Sequence, residues 1–411
     1  MTPTATRQDL SNRFVVLAAF LSASLCAADD RVLPVGDLNP DLGAEIRAVQ
    51  TSLIDDEVTG SNVVIIWQDG EELHRSVVNS GREGDRDITD RTLFPIWSMS
   101  KPITIVAMMT LHEQGLFQWD DPVAKYIPCF AELSVREGDT LRPARTPLRI
   151  IDLMTHRSGF GYYTWDGLPP RNDEPHTLQT RHADLQSFCE VAADAPLAFD
   201  PGTDYLYGIN QAILGRLVEV LSGQSFADYL ETAIFEPLGM TETSFVLDEA
   251  RRARFQPLWI NAGNLKGYTH LLDEMNYDPD SRAHFGGEGL VSCPEDYARF
   301  CEMLTNDGIF RGERLISAES IDAMTTVHST NIFPEMMKGM DMGFSVFVLR
   351  DPDAEGSRVP PGTFGWSGYH NTHFWIDQRN RVFGVFMTRA REFNPEIPVR
   401  LRQAVYGASA D

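Results

Sequence analysis

Hydrophobic and polar positions divide the chain into stretches of different rhythm. From 62 to 78, "NVVIIWQDGEELHRSVV" sets two apolar-rich runs about a "QDG" turn, which predicts a β-hairpin. The next stretch, "TLFPIWSMSKPITIVAMMTLHEQGLF" (92–117), carries a strong helix that ends at Gly115. From about 121 to 285 the pattern becomes helical and rich in Pro and Gly. "NQAILGRLVEVLSG" (210–223) puts Ile213, Leu214, Leu217, Val218 and Leu221 on one helix face, with Asn210 as N-cap and Gly223 as stop. "SFADYLETAIFEPLGM" reads as a further helix. After "FGGEGLVS", Ser292 and Glu295 have the spacing of a capping box that opens the helix "CPEDYARFCEML". The remainder turns β-rich: "MGFSVFVL" (342–349), "FGWSG" (364–368) and a hairpin "THFWIDQRNRVFGVFMT" (372–388), then a last helix at "EIPVRLRQAVYG". Strands at both ends around a helical middle predict an α+β fold, one sheet built from both ends of the chain with a helical subdomain inserted. Alternating βαβ units are not indicated.

With 411 residues, 43% of them hydrophobic, the chain can bury a sizeable core. The net charge of -24 repels phosphate backbones and anionic headgroups, so no nucleic acid partner is expected. Residues 1–28 read as a signal peptide: Arg7 and Arg13 precede the apolar run "FVVLAAFLSASL" (14–25), and small residues follow. That run is too short to span a bilayer, so no stable membrane insertion is expected after its removal. The expected location is periplasmic or secreted, with the cytoplasm as the alternative. Cys129, Cys189, Cys293 and Cys301 form no C-x-x-C pair and no zinc-spaced cluster, and read as small buried hydrophobes.

Only four lysines occur, at 101, 125, 266 and 338, while arginine supplies the rest of the 35 basic residues. Lys101 stands three residues after Ser98 and directly before Pro102. On a helix opened by Ser98 the two side chains share a face. A desolvated lysine can lose its proton and act as a base, which arginine cannot do. Free amides of the first turn would stabilise an oxyanion. Taken alone, the spacing also fits a capping serine and a solvated lysine.

The context decides between these. "LFPIWSMSKPITIVAMMTLHEQGLFQWDDPVAKYIP", "RIIDLMTHRSGF", "PGTDYLYGINQAILGRLVEVLSG", "EPLGMTETSF", "GGEGLVSCPEDYARFCEML" and "FGWSGYHNTHFWIDQRNRVFGVFMT" follow in one order. Together they resemble the serine β-lactamase and penicillin-binding-protein superfamily over about 45 to 405. The resemblance implies an α/β sandwich sheet beside a helical part, with the site between them. It places a catalytic domain at 36–407, its α/β part at about 36–120 and 286–407 and its helical part at about 121–285. It implies Ser98 as nucleophile, Lys101 as its proton-relay partner and Tyr207 as the tyrosine of the second motif. Tyr205, two residues away, falls at a packing position instead. Ile209 stands where many members carry Asn.

The third motif bears on substrate class. β-Lactamases and peptidoglycan peptidases carry K-T-G there, and the lysine binds a carboxylate. This chain has Trp366-Ser367-Gly368. An indole supplies no cation and offers an apolar wall. The W-x-G form resembles family VIII carboxylesterases. Gly368 would let a substrate approach the strand closely, and the Tyr369 amide would join that of Ser98 in the oxyanion hole. "GWSGY" reads as a strand, not as a nucleophile elbow. His370 and His373 read as a surface turn rather than a metal pair, and His156 and Arg157 as organisers of a loop near the cleft. The expectation is thus a serine hydrolase of small, short-chain carboxylic esters that needs no metal or cofactor. The alternatives are β-lactamase, D-amino-acid peptidase or amidase, and acyltransferase chemistry on the same fold. A catalytically silent binding protein is the alternative of a different class.

Overall fold

The computed structural model describes residues 38–162, 182–269, 282–330, 332–333 and 335–409. Residues 1–28, expected from the sequence to be a signal peptide, lie outside them.

The predicted sheet forms from both ends of the chain. Seven antiparallel strands lie in the order Met340–Met342, Phe347–Leu349, Phe364–Ser367, His373–Asp377, Val382–Met387, Asn62–Gln68 and Glu71–Val78. The hairpin at 62–78 turns at Asp69 and Gly70, both at positive φ, as "DG" demands. Val382–Met387 is buried throughout. A strand buried at every position needs cover on both faces, and helices provide it. Phe374 and His373 are neighbours on one strand and so point to opposite faces. Phe374 meets Tyr297 of helix Pro294–Thr305, with ring centroids 5.2 Å apart. His373 meets Arg402 of helix Glu396–Tyr406 at 2.8 Å. The latter helix packs beside Leu42–Asp55. The sequence pattern did not single out that N-terminal helix, although Leu42, Ile46, Val49 and Leu53 have helical spacing.

Helix Ser100–Glu113 is buried continuously from Ser100 to Met109. Its run of apolar residues has no polar stripe because no face meets water. It packs against the predicted helix Asn210–Ser222. Gly223 ends the latter at φ 72°, as expected of a left-handed stop.

Several local expectations are corrected. Asn210 is the first helical residue, not the cap, because its side chain is turned inward onto His156. Cys293, not Ser292, caps the helix that Pro294 opens, since Ser292 is held by Thr243 and Glu295 pairs with Arg75. The helix from Phe226 contains a π-helical turn at Glu231–Phe235. The middle of the chain is not wholly helical: Ser134–Glu137 pairs with Thr140–Pro143, and Leu258–Ala262 with Leu265–Thr269. All four described cysteines are free, and all but Cys129 are buried. Among the described residues no helix is long and apolar enough to cross a membrane.

Candidate active site

Ser98 sits in a 3₁₀ turn, Trp97–Met99, that runs directly into helix Ser100–Glu113. The turn is clamped from several sides. Phe94–Pro95 pairs with Val291–Ser292, and Ile96 N–H donates to Leu290 O at 3.0 Å. Tyr297 Oη donates to Met99 O at 2.9 Å. Trp97 adopts φ 47°, a left-handed backbone rare for a bulky residue, and its indole donates to His370 Nδ1 at 2.9 Å. The amides of Ser98 and Tyr369 donate to no acceptor among the described residues.

Lys101 is fully buried, not solvated. A buried ammonium or amine must be satisfied by acceptors, and three surround Nζ: Gly287 O at 2.7 Å, Ser98 Oγ at 3.0 Å and Tyr162 Oη at 3.0 Å. Tyr207 Oη donates to Ser98 Oγ at 2.7 Å. Its ring centroid lies 4.7 Å from Lys101 Nζ. Ser98 Oγ is therefore bonded to both members of the pair expected from the sequence.

The Tyr207 segment is positioned by neighbours that sequence reading gave only a loop-organising part. Leu206 N–H donates to His156 O at 2.8 Å, and the His156 ring lies 4.8 Å from that of Tyr207. Gly208 N–H reaches His156 Nδ1 at 3.4 Å, so Nδ1 accepts. Burial, with the Lys101 charge assisting, holds His156 well below the ordinary imidazole range. It is a neutral structural ring. Gly208 is required by space, since a Cβ there would lie 2.2 Å from Phe160 O. Tyr205 is half-buried against His156 and Phe333, and its hydroxyl meets no partner among the described residues. It packs between these rings and, unlike Tyr207, makes no bond to Ser98.

The third motif behaves differently from expectation in three respects. Trp366 is more than an apolar wall: its Nε1–H donates to Tyr207 Oη at 3.3 Å. Ser367 bonds away from Ser98, Oγ lying 2.8 Å from His373 Nδ1. Gly368 makes room for the protein itself, because a Cβ there would lie 2.4 Å from Ile96 O and 2.2 Å from Thr372 Oγ1. The close approach seats the strand against the turn that carries Ser98. The Tyr369 ring packs edge-on against Trp97, and its hydroxyl donates to Glu392 at 2.9 Å.

His370 and His373 are buried, not at a surface turn. Arg402 donates to His373 Nε2 at 2.8 Å, so Nδ1–H faces Ser367. Arg402 is itself paired with the buried Glu355. Both histidine rings are held well below the ordinary range by burial and neighbouring arginines. Among the described residues no His, Cys, Asp and Glu cluster has the arrangement of a metal site.

Two residues of the site were missed by sequence reading. Tyr162 touches Lys101 and also donates to Glu288 Oε2 at 3.2 Å. Burial pushes the Tyr162 phenol well above its ordinary range, and the Glu288 charge adds to this. Burial likewise raises the Glu288 carboxyl, with Lys101 opposing. The available signal was an acid enclosed in the glycine run "GGEG".

An antiparallel sheet flanked by helices, with a Ser–Lys–Tyr cluster at the start of a buried helix, defines the serine β-lactamase and penicillin-binding-protein class. The chain belongs to the beta-lactamase family, whose model matches residues 47–408. It is 26% identical over 385 residues to "Esterase EstB" of Burkholderia gladioli, covering 89% of this chain and 95% of the esterase. Its fold matches "EstCE1, a hydrolase with promiscuous acyltransferase activity", with TM-score 0.78, 21% identity and coverage of 89% and 99%. Simvastatin synthase (LovD) from Aspergillus terreus shares the fold at TM-score 0.73 and 20% identity, with coverage of 89% and 98%.

Proposed function

We propose that this protein is an exported serine carboxylesterase acting on small, short-chain esters. The observation that carries the reading is that Ser98 Oγ is bonded at once to Lys101 Nζ and Tyr207 Oη, while the third motif offers an indole in place of a cation. In the first half-reaction Ser98 Oγ bonds to the ester carbonyl carbon and its proton passes to Lys101. The amides of Ser98 and Tyr369 hold the oxyanion. The carbon–alkoxide bond then breaks, and the alcohol leaves with a proton from Tyr207. Lys101 ammonium and Tyr207 phenolate now stand side by side, and transfer between them restores the pair. Water repeats the sequence on the acyl-enzyme and releases the acid. No metal or organic cofactor takes part.

The likeness to an esterase of Burkholderia gladioli supports ester chemistry. Trp366 supports it independently, because nothing at that position pairs with the carboxylate of a β-lactam or a D-Ala terminus. A second reading is acyl transfer to an alcohol other than water, favoured by the fold shared with EstCE1, a hydrolase with promiscuous acyltransferase activity. Turnover of p-nitrophenyl acetate and butyrate beside nitrocefin tests the proposal. Ester turnover with little or no nitrocefin hydrolysis is expected, whereas faster nitrocefin turnover would overturn the ester assignment. Adding a short alcohol and measuring transesterification separates the second reading from the first.

A further inference from the structure

Donor counting at Lys101 raises a question that the acyl-transfer reading leaves open. A neutral lysine amine has two N–H bonds and one lone pair. Gly287 O can only accept, so it takes one N–H at 2.7 Å. Ser98 Oγ and Tyr162 Oη both lie 3.0 Å from Nζ. Each hydroxyl can accept the second N–H or donate to the lone pair. A base for Ser98 requires the lone pair to face Ser98, and the equal distances do not enforce that.

Glu288 breaks the tie. Its Oε2 lies 3.2 Å from Tyr162 Oη, and its Oε1 is buried with no partner among the described residues. Tyr162 is thus its single polar contact there. The turn that carries it has no slack. A Cβ on Gly286 would lie 2.6 Å from Thr104 Oγ1 of the nucleophile helix, and one on Gly289 2.8 Å from Phe285 O. Thr104 Oγ1 also donates to Gly286 O at 2.7 Å.

We propose that Glu288 is a positioning residue: by accepting the Tyr162 hydroxyl proton it makes Tyr162 Oη an acceptor for Lys101 and leaves the Lys101 lone pair for Ser98. Without that acceptor, Tyr162 would donate to Nζ and compete with Ser98 for the base. The raised carboxyl is compatible with this role, because a proton on Oε1 leaves Oε2 free to accept.

The inference rests on Ser98 being the nucleophile, and the test separates the two. The rate of Ser98 labelling by a fluorophosphonate is measured for wild type, Glu288→Met, Glu288→Gln, Tyr162→Phe and Tyr162→Phe/Glu288→Met. Glu288→Met keeps the length and removes the acceptor. Its maximal labelling rate is expected to fall roughly tenfold to a hundredfold, a part of what a general base contributes, with the probe's half-saturation unchanged. Glu288→Gln keeps an acceptor and is expected within a few-fold of wild type. In the Tyr162→Phe background Glu288→Met should cost nothing more. A wild-type rate for Glu288→Met, an equally damaged Glu288→Gln, or an undiminished loss in the Tyr162→Phe background each overturns the inference. If wild type is not labelled at Ser98 at all, the acyl-transfer reading fails together with it.

Discussion

Trp366 donates its indole N–H to Tyr207 Oη at 3.3 Å, and the same Tyr207 oxygen donates to Ser98 Oγ at 2.7 Å. The residue that stands in place of a cation in the third motif is therefore bonded to the tyrosine of the proposed proton relay. In the proposed mechanism the indole points at the oxygen where negative charge develops as the Tyr207 proton leaves. Trp366→Phe keeps the apolar wall and removes this donor. A hydrogen bond to a charged oxygen is worth about 1.5–3 kcal/mol, so kcat should fall roughly tenfold or more. Steady-state kinetics on p-nitrophenyl butyrate checks this, and unchanged kcat would assign Trp366 to shape alone.

Gly368 and Ile96 define how closely the third-motif strand approaches the turn that carries Ser98. Gly368→Ala forces a methyl to within 2.4 Å of Ile96 O. Overpacking of this kind costs about 1–3 kcal/mol, and relief must move either the strand or the turn that carries Ser98. Loss of both stability and ester turnover is expected. A chemical-denaturation curve beside an activity assay would expose an unperturbed variant.

Behind Ser367 lies the chain His373–Arg402–Glu355, with both members of the Arg402–Glu355 pair about 1% exposed at their side chains. Removing one member leaves an uncompensated buried charge, which costs about 3–5 kcal/mol. Glu355→Gln should therefore destabilise strongly, whereas Glu355→Gln/Arg402→Met should recover much of the loss. Urea melts of the three proteins test the pair, and additive losses would contradict the coupling.

The buried histidines set a pH dependence of stability. His156, His370 and His373 are each held well below the ordinary 6.5. Below that value the unfolded chain binds protons that the folded protein refuses, so stability is lost as pH falls, by at most about 1.4 kcal/mol per unit for each ring. Glu288, Asp296 and Asp377 are raised by burial and act oppositely, above the ordinary carboxylate range. Urea midpoints should decline from about pH 7.5 to about pH 6 if this linkage holds. A flat or rising profile would contradict it.

The sheet built from both chain ends was legible because its strands alternate or run apolar between clear turns. That Ser98, Lys101 and Tyr207 meet was legible because all three sit inside a long collinear pattern. What was not legible depends on which groups meet across the fold. Tyr162 and Glu288 lie 126 positions apart and join only at Lys101. His373 looked like a turn residue because its burial comes from Arg402 and the sheet, not from its local sequence. Asn210 looked like a cap because Asn usually caps, but tertiary pairing with His156 took its side chain.

The most direct measurement of the central claim is p-nitrophenyl butyrate turnover by wild type, Ser98→Ala, Lys101→Ala and Tyr207→Phe at matched folded concentration. Wild type is expected to turn the ester over, Ser98→Ala to show no turnover above background, and Lys101→Ala and Tyr207→Phe to lose roughly a hundredfold or more. Full activity in Ser98→Ala would contradict the account at its root. Full activity in Lys101→Ala would remove the lysine as the base.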